Sequence, residues 1–231
     1  MSNFPQTIDI GEWSKFLKRE LTNDEKRLFA RVLEERMLNS AIDNINKCVK
    51  DRNLKVCKLT DLHGDCFFES LVILGIGDDS EKLRISISHL MYIFRDYRGF
   101  FPDQEETLAE LFSHFNEIEY VHCKQTNRIY KYTYNIMCQD MSESSNWNRL
   151  PTQLILMFIS KIFNLNIAII NDSGFEHNIN INNNNNNTIY LGHIGECHYV
   201  PINIITDKNS DNLEHKENWN KFISWVYQET Q

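Results

Sequence analysis

The chain has 231 residues, enough for one large domain or two small ones. It is 42% hydrophobic and 24% charged, as globular proteins usually are, and no apolar run reaches the roughly 18 residues that a membrane span needs. The net charge of −8 argues against a nucleic-acid backbone as the main partner, because phosphates bind basic surfaces.

The first residues contain no basic stretch followed by an apolar core, so the sequence predicts no signal peptide. We therefore expect a soluble, intracellular, cytoplasmic monomer, which would act in a host cytoplasm if its source were a virus or a bacterium. None of the six cysteines is paired as Cys-x-x-Cys or spaced with histidines as in a zinc finger. The expectation is reduced thiols, no metal and no cofactor.

Residues 1–50 predict a helical extension packed on the core. Trp13, Phe16 and Leu17 indicate a short helix. The residues Thr22 and Glu25 have the spacing of a capping box, which begins a long helix over about 23–48. Its predicted buried stripe is Phe29, Val32, Leu33, Met37, Ala41, Ile42 and Ile45.

A short strand is expected at residues 55–59, followed by a polar turn that ends in Gly64, Asp65 and Cys66. An apolar run over 67–74 follows at once and predicts a buried helix. Cys66 would then lie at a helix N-terminus, where the partial positive charge favours the thiolate. Further helices are expected where Ser80 and Asp103 can act as N-caps, the second with Glu106 closing a capping box.

The second half of the chain predicts a sheet. Residues 118–147 are polar and aromatic without a clear period, and Pro151 suits the first turn of an apolar helix that ends near residue 163. Residues 167–170 indicate an interior strand, residues 175–181 an edge strand, residues 182–187 an exposed hairpin tip of six asparagines, and residues 188–191 another strand. His198 begins the last strand, residues 206–218 form a linker, and a C-terminal helix follows. The fold class is α/β (α+β), with helices around a small, partly antiparallel sheet.

The segment His63-Gly64-Asp65-Cys66-Phe67-Phe68-Glu69-Ser70 resembles the nucleophile motif of the OTU (ovarian tumour) cysteine proteases. Leu83-Arg84, the series Tyr134, Met141 and Trp147, and an aromatic residue after His198 are similar to further family elements. The resemblance implies a papain-type fold in which residues 51–205 form the catalytic domain. It also leaves open that the N-terminal helices contact the substrate.

By this resemblance Cys66 is the nucleophile, His198 is the general base and acid, and the backbone N–H groups of Asp65 and Cys66 form the oxyanion hole. The resemblance leaves open which group orients His198. Most members of the family have Asn or Asp two residues after the histidine, where this chain has Val200, and Asp where it has His63. Asn203 alternates to the other face of the strand. The candidates are Asp61, Asp65, Thr60 or a backbone carbonyl.

The implied function is a deubiquitinating thiol protease that hydrolyses isopeptide bonds of ubiquitin, polyubiquitin or a ubiquitin-like protein. One alternative is a weak or inactive module of the same fold that binds ubiquitin or another protein. A second is a cysteine hydrolase or transferase with a different substrate. The sequence does not distinguish the ubiquitin linkages.

Overall fold

The computed structural model describes residues 10–60, 64–123, 127–181, 187–195 and 198–205. Its α-helices are α1 (Ile10–Leu17), α2 (Asn23–Val49), α3 (Cys66–Ile73), α4 (Ser80–Ile93), α5 (Leu108–Phe115), α6 (Tyr134–Ser142) and α7 (Thr152–Phe163). Its strands are β1 (Leu54–Val56), β2 (Tyr120–Cys123), β3 (Arg128–Lys131), β4 (Asn166–Asn171), β5 (Glu176–Ile179), β6 (Thr188–Ile194) and β7 (His198–Ile204). The linker and helix expected over residues 206–231 lie outside the described residues.

The main sheet has the strand order β1-β7-β6-β4-β5. Only the β4–β6 pair in this sheet is parallel, so the predicted α/β class with a partly antiparallel sheet is confirmed. Strand β5 lies at one edge, as the alternation over 175–181 predicts. The expected hairpin between β5 and β6 is wrong, because these two strands lie on opposite sides of β4. Residues 182–186 themselves are outside the described part of the chain.

Helices cover both faces of the sheet, because consecutive residues of a strand point to opposite faces and pack in two different hydrophobic clusters. Ile169 and Tyr199 belong to the larger core, formed with α3 to α7, whereas Ile170 and Val200 belong to a smaller core under α2. The buried stripe of α2 consists of Leu38, Ala41, Ile45 and Val49.

The predicted stripe of α2 is correct only in its second half. Leu33 and Met37 are exposed, Met37 to 67%, because the stripe that packs on the sheet begins at Leu38. The N-terminal half of the helix therefore has an apolar surface that the described residues leave open. That α2 packs on the sheet agrees with an extension built onto the core, while the division of the chain at residue 50 stays a prediction.

Local hydrogen-bonding chemistry decides where the helices start. The capping box of Thr22 and Glu25 is present, as predicted. For α4 the N-cap is Asp79 rather than Ser80. The α5 prediction is wrong by four residues: Thr107 is the N-cap and Glu110 closes the box, while Asp103 adopts a left-handed turn with φ of 62°.

Residues 118–147 contain elements that the sequence did not indicate. Strands β2 and β3 form an antiparallel hairpin, and α6 begins at Tyr134 with the hydroxyl of Thr133 as its cap. A short 3₁₀ turn at Trp147–Arg149 leads into α7. Of the helices in the described ranges, none has the length and apolar character that crossing a membrane requires.

Candidate active site

Cys66 is the first residue of α3 and is buried. The preceding turn needs glycine: Gly64 has φ of 90°, and a Cβ there would lie 2.6 Å from the Cα of Ser145. Within the helix, the hydroxyl of Ser70 donates a hydrogen bond of 2.7 Å to the carbonyl of Cys66. The motif residues Gly64, Cys66 and Ser70 thus each have a definite structural part in this turn.

Aromatic residues fix α3 against β7. The ring of Phe67 stacks on Trp147 with centroids 4.5 Å apart, and it meets the ring of Tyr199 edge-on at 5.2 Å. Trp147 and Tyr199 also contact each other at 5.7 Å. Phe67 and Tyr199 are buried and Trp147 is partly buried, and together they pack the N-terminus of α3 against β7.

The backbone of β7 reaches Cys66 directly. The N–H of Tyr199 donates to the Sγ of Cys66, with an N···S distance of 3.4 Å. This N–H belongs to the peptide bond between His198 and Tyr199, and His198 is only 5% exposed. The fold therefore brings the backbone at His198 next to the sulfur of Cys66, 132 positions away in the sequence.

Thr60 is the partner of His198 in the described part of the site. Its Oγ1 lies 3.2 Å from the Nε2 of His198, and its hydroxyl donates a short hydrogen bond to the carbonyl of Tyr199. A threonine hydroxyl has a single hydrogen, so towards His198 it acts as an acceptor. His198 is then protonated on Nε2, and its Nδ1 is the nitrogen that can accept a proton.

Burial lowers the pKa of His198 below its ordinary value, with a smaller contribution from the nearby imidazole of His193. The charges of Glu69 and Glu34 oppose this shift by favouring the imidazolium. His198 is therefore neutral at pH 7, the state in which it can act as a base.

The other residues considered as the group that orients His198 have different locations and contacts. Asp61 lies outside the described residues, as does His63. Val200 is fully buried and packs tightly on Gly192, whose Cβ, if present, would lie 2.6 Å from a Val200 methyl. Asn203 is exposed, at the position of β7 that pairs with Lys55 of β1. Asp65 is in an ion pair with Arg84, at 3.2 Å between Oδ1 and Nε.

The remaining thiols and imidazoles have other surroundings. Cys48 and Cys57 are exposed, and burial raises the pKa of Cys138 to about 12. His193 lies on β6, where its ring stacks on Tyr199 at 4.6 Å. Cys197 lies outside the described residues. Among the residues that are described, no three histidine, cysteine or acidic side chains gather as a metal site would need.

Comparison with known proteins gives matches among solved structures only. No protein-family model and no curated protein matches the chain. It is similar to the OTU domain of OTUD1, with 13% identity and a TM-score of 0.49 over 74% of this chain and 99% of that one. It is also similar to a ubiquitin-bound OTU deubiquitinase from Wolbachia pipientis wMel, with 14% identity and a TM-score of 0.43 over 66% of this chain and 97% of that one. At these scores, the functional assignment depends on the chain's own residues.

Proposed function

We propose that the chain is an OTU-type thiol protease that hydrolyses isopeptide bonds of ubiquitin or of a ubiquitin-like protein. The observation that carries the proposal is the contact of the Tyr199 N–H with the Sγ of Cys66, which brings His198 beside a cysteine at a helix N-terminus. The choice of ubiquitin as substrate follows from the resemblance of residues 63–70 to the OTU nucleophile motif.

In the proposed reaction, Nδ1 of His198 accepts the proton of Cys66, and the thiolate attacks the isopeptide carbonyl. Two features favour the thiolate: the positive end of α3 and the N–H of Tyr199, 3.4 Å from the sulfur. The negative charge that develops on the carbonyl oxygen would be held by backbone N–H groups of Asp65 and Cys66. His198 then protonates the leaving lysine amine, and water releases ubiquitin from Cys66.

Thr60 acts in this scheme as the group that orients His198. Because its hydroxyl accepts from Nε2–H, it selects the tautomer whose Nδ1 is free to act as base. The same bond becomes stronger when His198 takes up the proton and is charged. A partner upstream of the cysteine agrees with Val200 occupying the position where an Asn or Asp would otherwise stand.

A ubiquitin with a thiol-reactive C-terminus tests the proposal. We expect wild type to be labelled, Cys66→Ala to be unlabelled and inactive, and Cys57→Ala, which removes an exposed thiol, to behave as wild type. Cys197→Ala should also keep most of the activity. A panel of diubiquitins then identifies the linkage. Binding of ubiquitin without labelling or cleavage would favour the non-catalytic module, and labelling lost in Cys197→Ala at an unchanged fold would contradict the assignment of the nucleophile.

A further inference from the structure

Arg84 is a buried charge next to the candidate active site. It lies in the first half of α4, is 5% exposed, and its Nε is 3.2 Å from the Oδ1 of Asp65. A guanidinium in such a place needs a carboxylate partner, because an unpaired buried charge is strongly destabilising. The partner here is the residue that directly precedes Cys66.

Asp65 also occupies the N-cap position of α3, where an aspartate ordinarily accepts hydrogen bonds from the first N–H groups of the helix. Its side chain makes no such bond, and its backbone, with φ −109° and ψ 6°, is not in the extended form of an N-cap. Asp79 at the start of α4 is the contrasting case, since it is extended and its Oδ1 accepts from Lys82 N at 2.8 Å. The carboxylate of Asp65 is directed to Arg84 instead of to its own helix.

The turn before Cys66 is held from a second side. Gly64 packs so closely on the backbone of Ser145 that a Cβ would not fit. The turn is thus confined between Ser145 and the guanidinium of Arg84. Without the guanidinium, the Asp65 side chain could turn towards the N-terminus of α3, where an aspartate at the N-cap position ordinarily accepts hydrogen bonds.

We propose that Arg84 is a positioning residue: by binding the Asp65 carboxylate, it keeps this negative charge away from the N-terminus of α3. The N–H groups and the positive end of the helix then act on the Cys66 sulfur and on the reacting carbonyl oxygen. This inference depends on the proposed function only in taking Cys66 as the reactive thiol.

The charges around Cys66 support this view. On α3 itself, Glu69 is paired with Lys58 at 3.6 Å, as Asp65 is paired with Arg84. From β7, His198 contributes a neutral imidazole. The more distant Glu34 of α2 and His193 of β6 act on His198. Of the described residues on the turn and first half of α3, both acidic ones, Asp65 and Glu69, therefore lie in an ion pair with a basic residue from another part of the chain.

The test is the pH dependence of Cys66 alkylation by iodoacetamide, followed by mass spectrometry of the Cys66 peptide in the full chain. In Arg84→Gln we expect the pH midpoint to rise by about one unit, because a carboxylate that turns towards Cys66 disfavours the thiolate. Arg84→Lys keeps the charge and should stay close to wild type. Arg98→Gln, which removes an arginine from the exposed ion pair with Glu110, is the matched control and should leave the midpoint unchanged.

The variants Asp65→Ala and Asp65→Ala/Arg84→Gln separate this role from a general loss of stability. Both lack the carboxylate, so their midpoints should be at or below that of wild type, even if Arg84→Gln alone folds poorly. A midpoint that is raised in Asp65→Ala, or as high in the double variant as in a folded Arg84→Gln, would overturn the inference. So would an unchanged midpoint in folded Arg84→Gln.

A second readout is the hydrolysis of a ubiquitin–fluorophore conjugate. Arg84→Gln should lower kcat by about 10-fold or more with KM nearly unchanged, because the affected groups act on the reacting atoms and not on the body of the substrate. A change confined to KM would overturn the inference. Since alkylation needs no ubiquitin, a wild type inactive on ubiquitin would refute the proposed function, and the alkylation midpoints would still decide the role of Arg84.

Discussion

Replacement of Thr60 by valine is the sharpest test of how His198 is oriented. The substitution keeps the shape of the side chain and removes its hydroxyl, which lies 3.2 Å from the Nε2 of His198 and also donates to the carbonyl of Tyr199. Thr60 is 2% exposed and His198 5%, so water cannot easily replace the lost partner. The Nε2–H of His198 would be left buried and unsatisfied in the variant.

The size of the effect follows from this loss. An unsatisfied buried donor costs about 1–3 kcal/mol, and more when it belongs to a charged group, as His198 would be in the proposed reaction once it holds the proton of Cys66. If about 1.4–2.7 kcal/mol of this is lost only in the transition state, kcat/KM falls by about 10- to 100-fold. The loss is smaller than the roughly 10⁴-fold effect of removing a triad carboxylate, because a hydroxyl is neutral.

The assay is hydrolysis of a ubiquitin–fluorophore conjugate, with thermal melting to confirm the fold. Thr60→Ser keeps the hydroxyl and should retain most of the activity. Thr107→Val is a matched control, since it also removes a buried hydroxyl, in this case from the N-cap of α5. It should lower the melting temperature but leave the kcat/KM of the folded protein close to that of wild type. Activity of Thr60→Val within about 2-fold of wild type at an unchanged fold would refute the reasoning. A loss of about 10-fold or more in Asp61→Ala, with Thr60→Val unaffected, would assign the role to Asp61.

Three further predictions concern the strand that carries His198. Val200→Asn should not raise turnover, and a clear gain in turnover would contradict the assignment of Thr60. The variant should lower the melting temperature by about 3–10 °C, because burial of an unsatisfied amide in this tightly packed position costs about 1–3 kcal/mol of stability. The lowered pKa of His198 should bring the acid limb of kcat/KM below about pH 6.5, and Glu69→Gln should move it lower still, because the Glu69 charge raises that pKa; a limb above this pH would be inconsistent with burial as the main cause. The stability that comes from the neutral imidazole should likewise be complete above about pH 6.5 and decrease as the pH falls through the lower, folded pKa.

The sequence predicts those parts of the fold that local chemistry determines. The start of α2 is encoded by Thr22 and Glu25, and the start of α3 by the polar turn at Gly64. At α5 two boxes with the same spacing compete, and only packing of the residues that follow selects Thr107 over Asp103. The β2–β3 hairpin has no periodic signal, since every residue of β3 is exposed.

Long-range pairing is the part that the sequence could not give. The alternation of β5 and β6 indicates two strands, but not that β4 lies between them. The sequence offers both Thr60 and Asp65 as candidates for the partner of His198, and their long-range contacts distinguish them. Asp65 is held by Arg84, from another helix, and Thr60 is fixed by the carbonyl of Tyr199. Neither contact leaves a pattern in the neighbouring residues.

A neutral partner for His198 is a consequence of how deeply the site is buried. Thr60 is 2% exposed, so a carboxylate in its place would lose its hydration. Very few hydrogen-bond donors are present in the described part of the site to compensate for that loss of free energy. The hydroxyl of Thr60 has a smaller desolvation cost, and it satisfies both Nε2 of His198 and the carbonyl of Tyr199. A carboxylate would also favour the imidazolium, whereas burial lowers the pKa of His198 and favours the neutral imidazole that the proposed reaction needs. Because Tyr199 contacts Cys66 through its N–H and Thr60 through its carbonyl, the start of β7 holds both of these residues at the position that directly follows His198 in the strand.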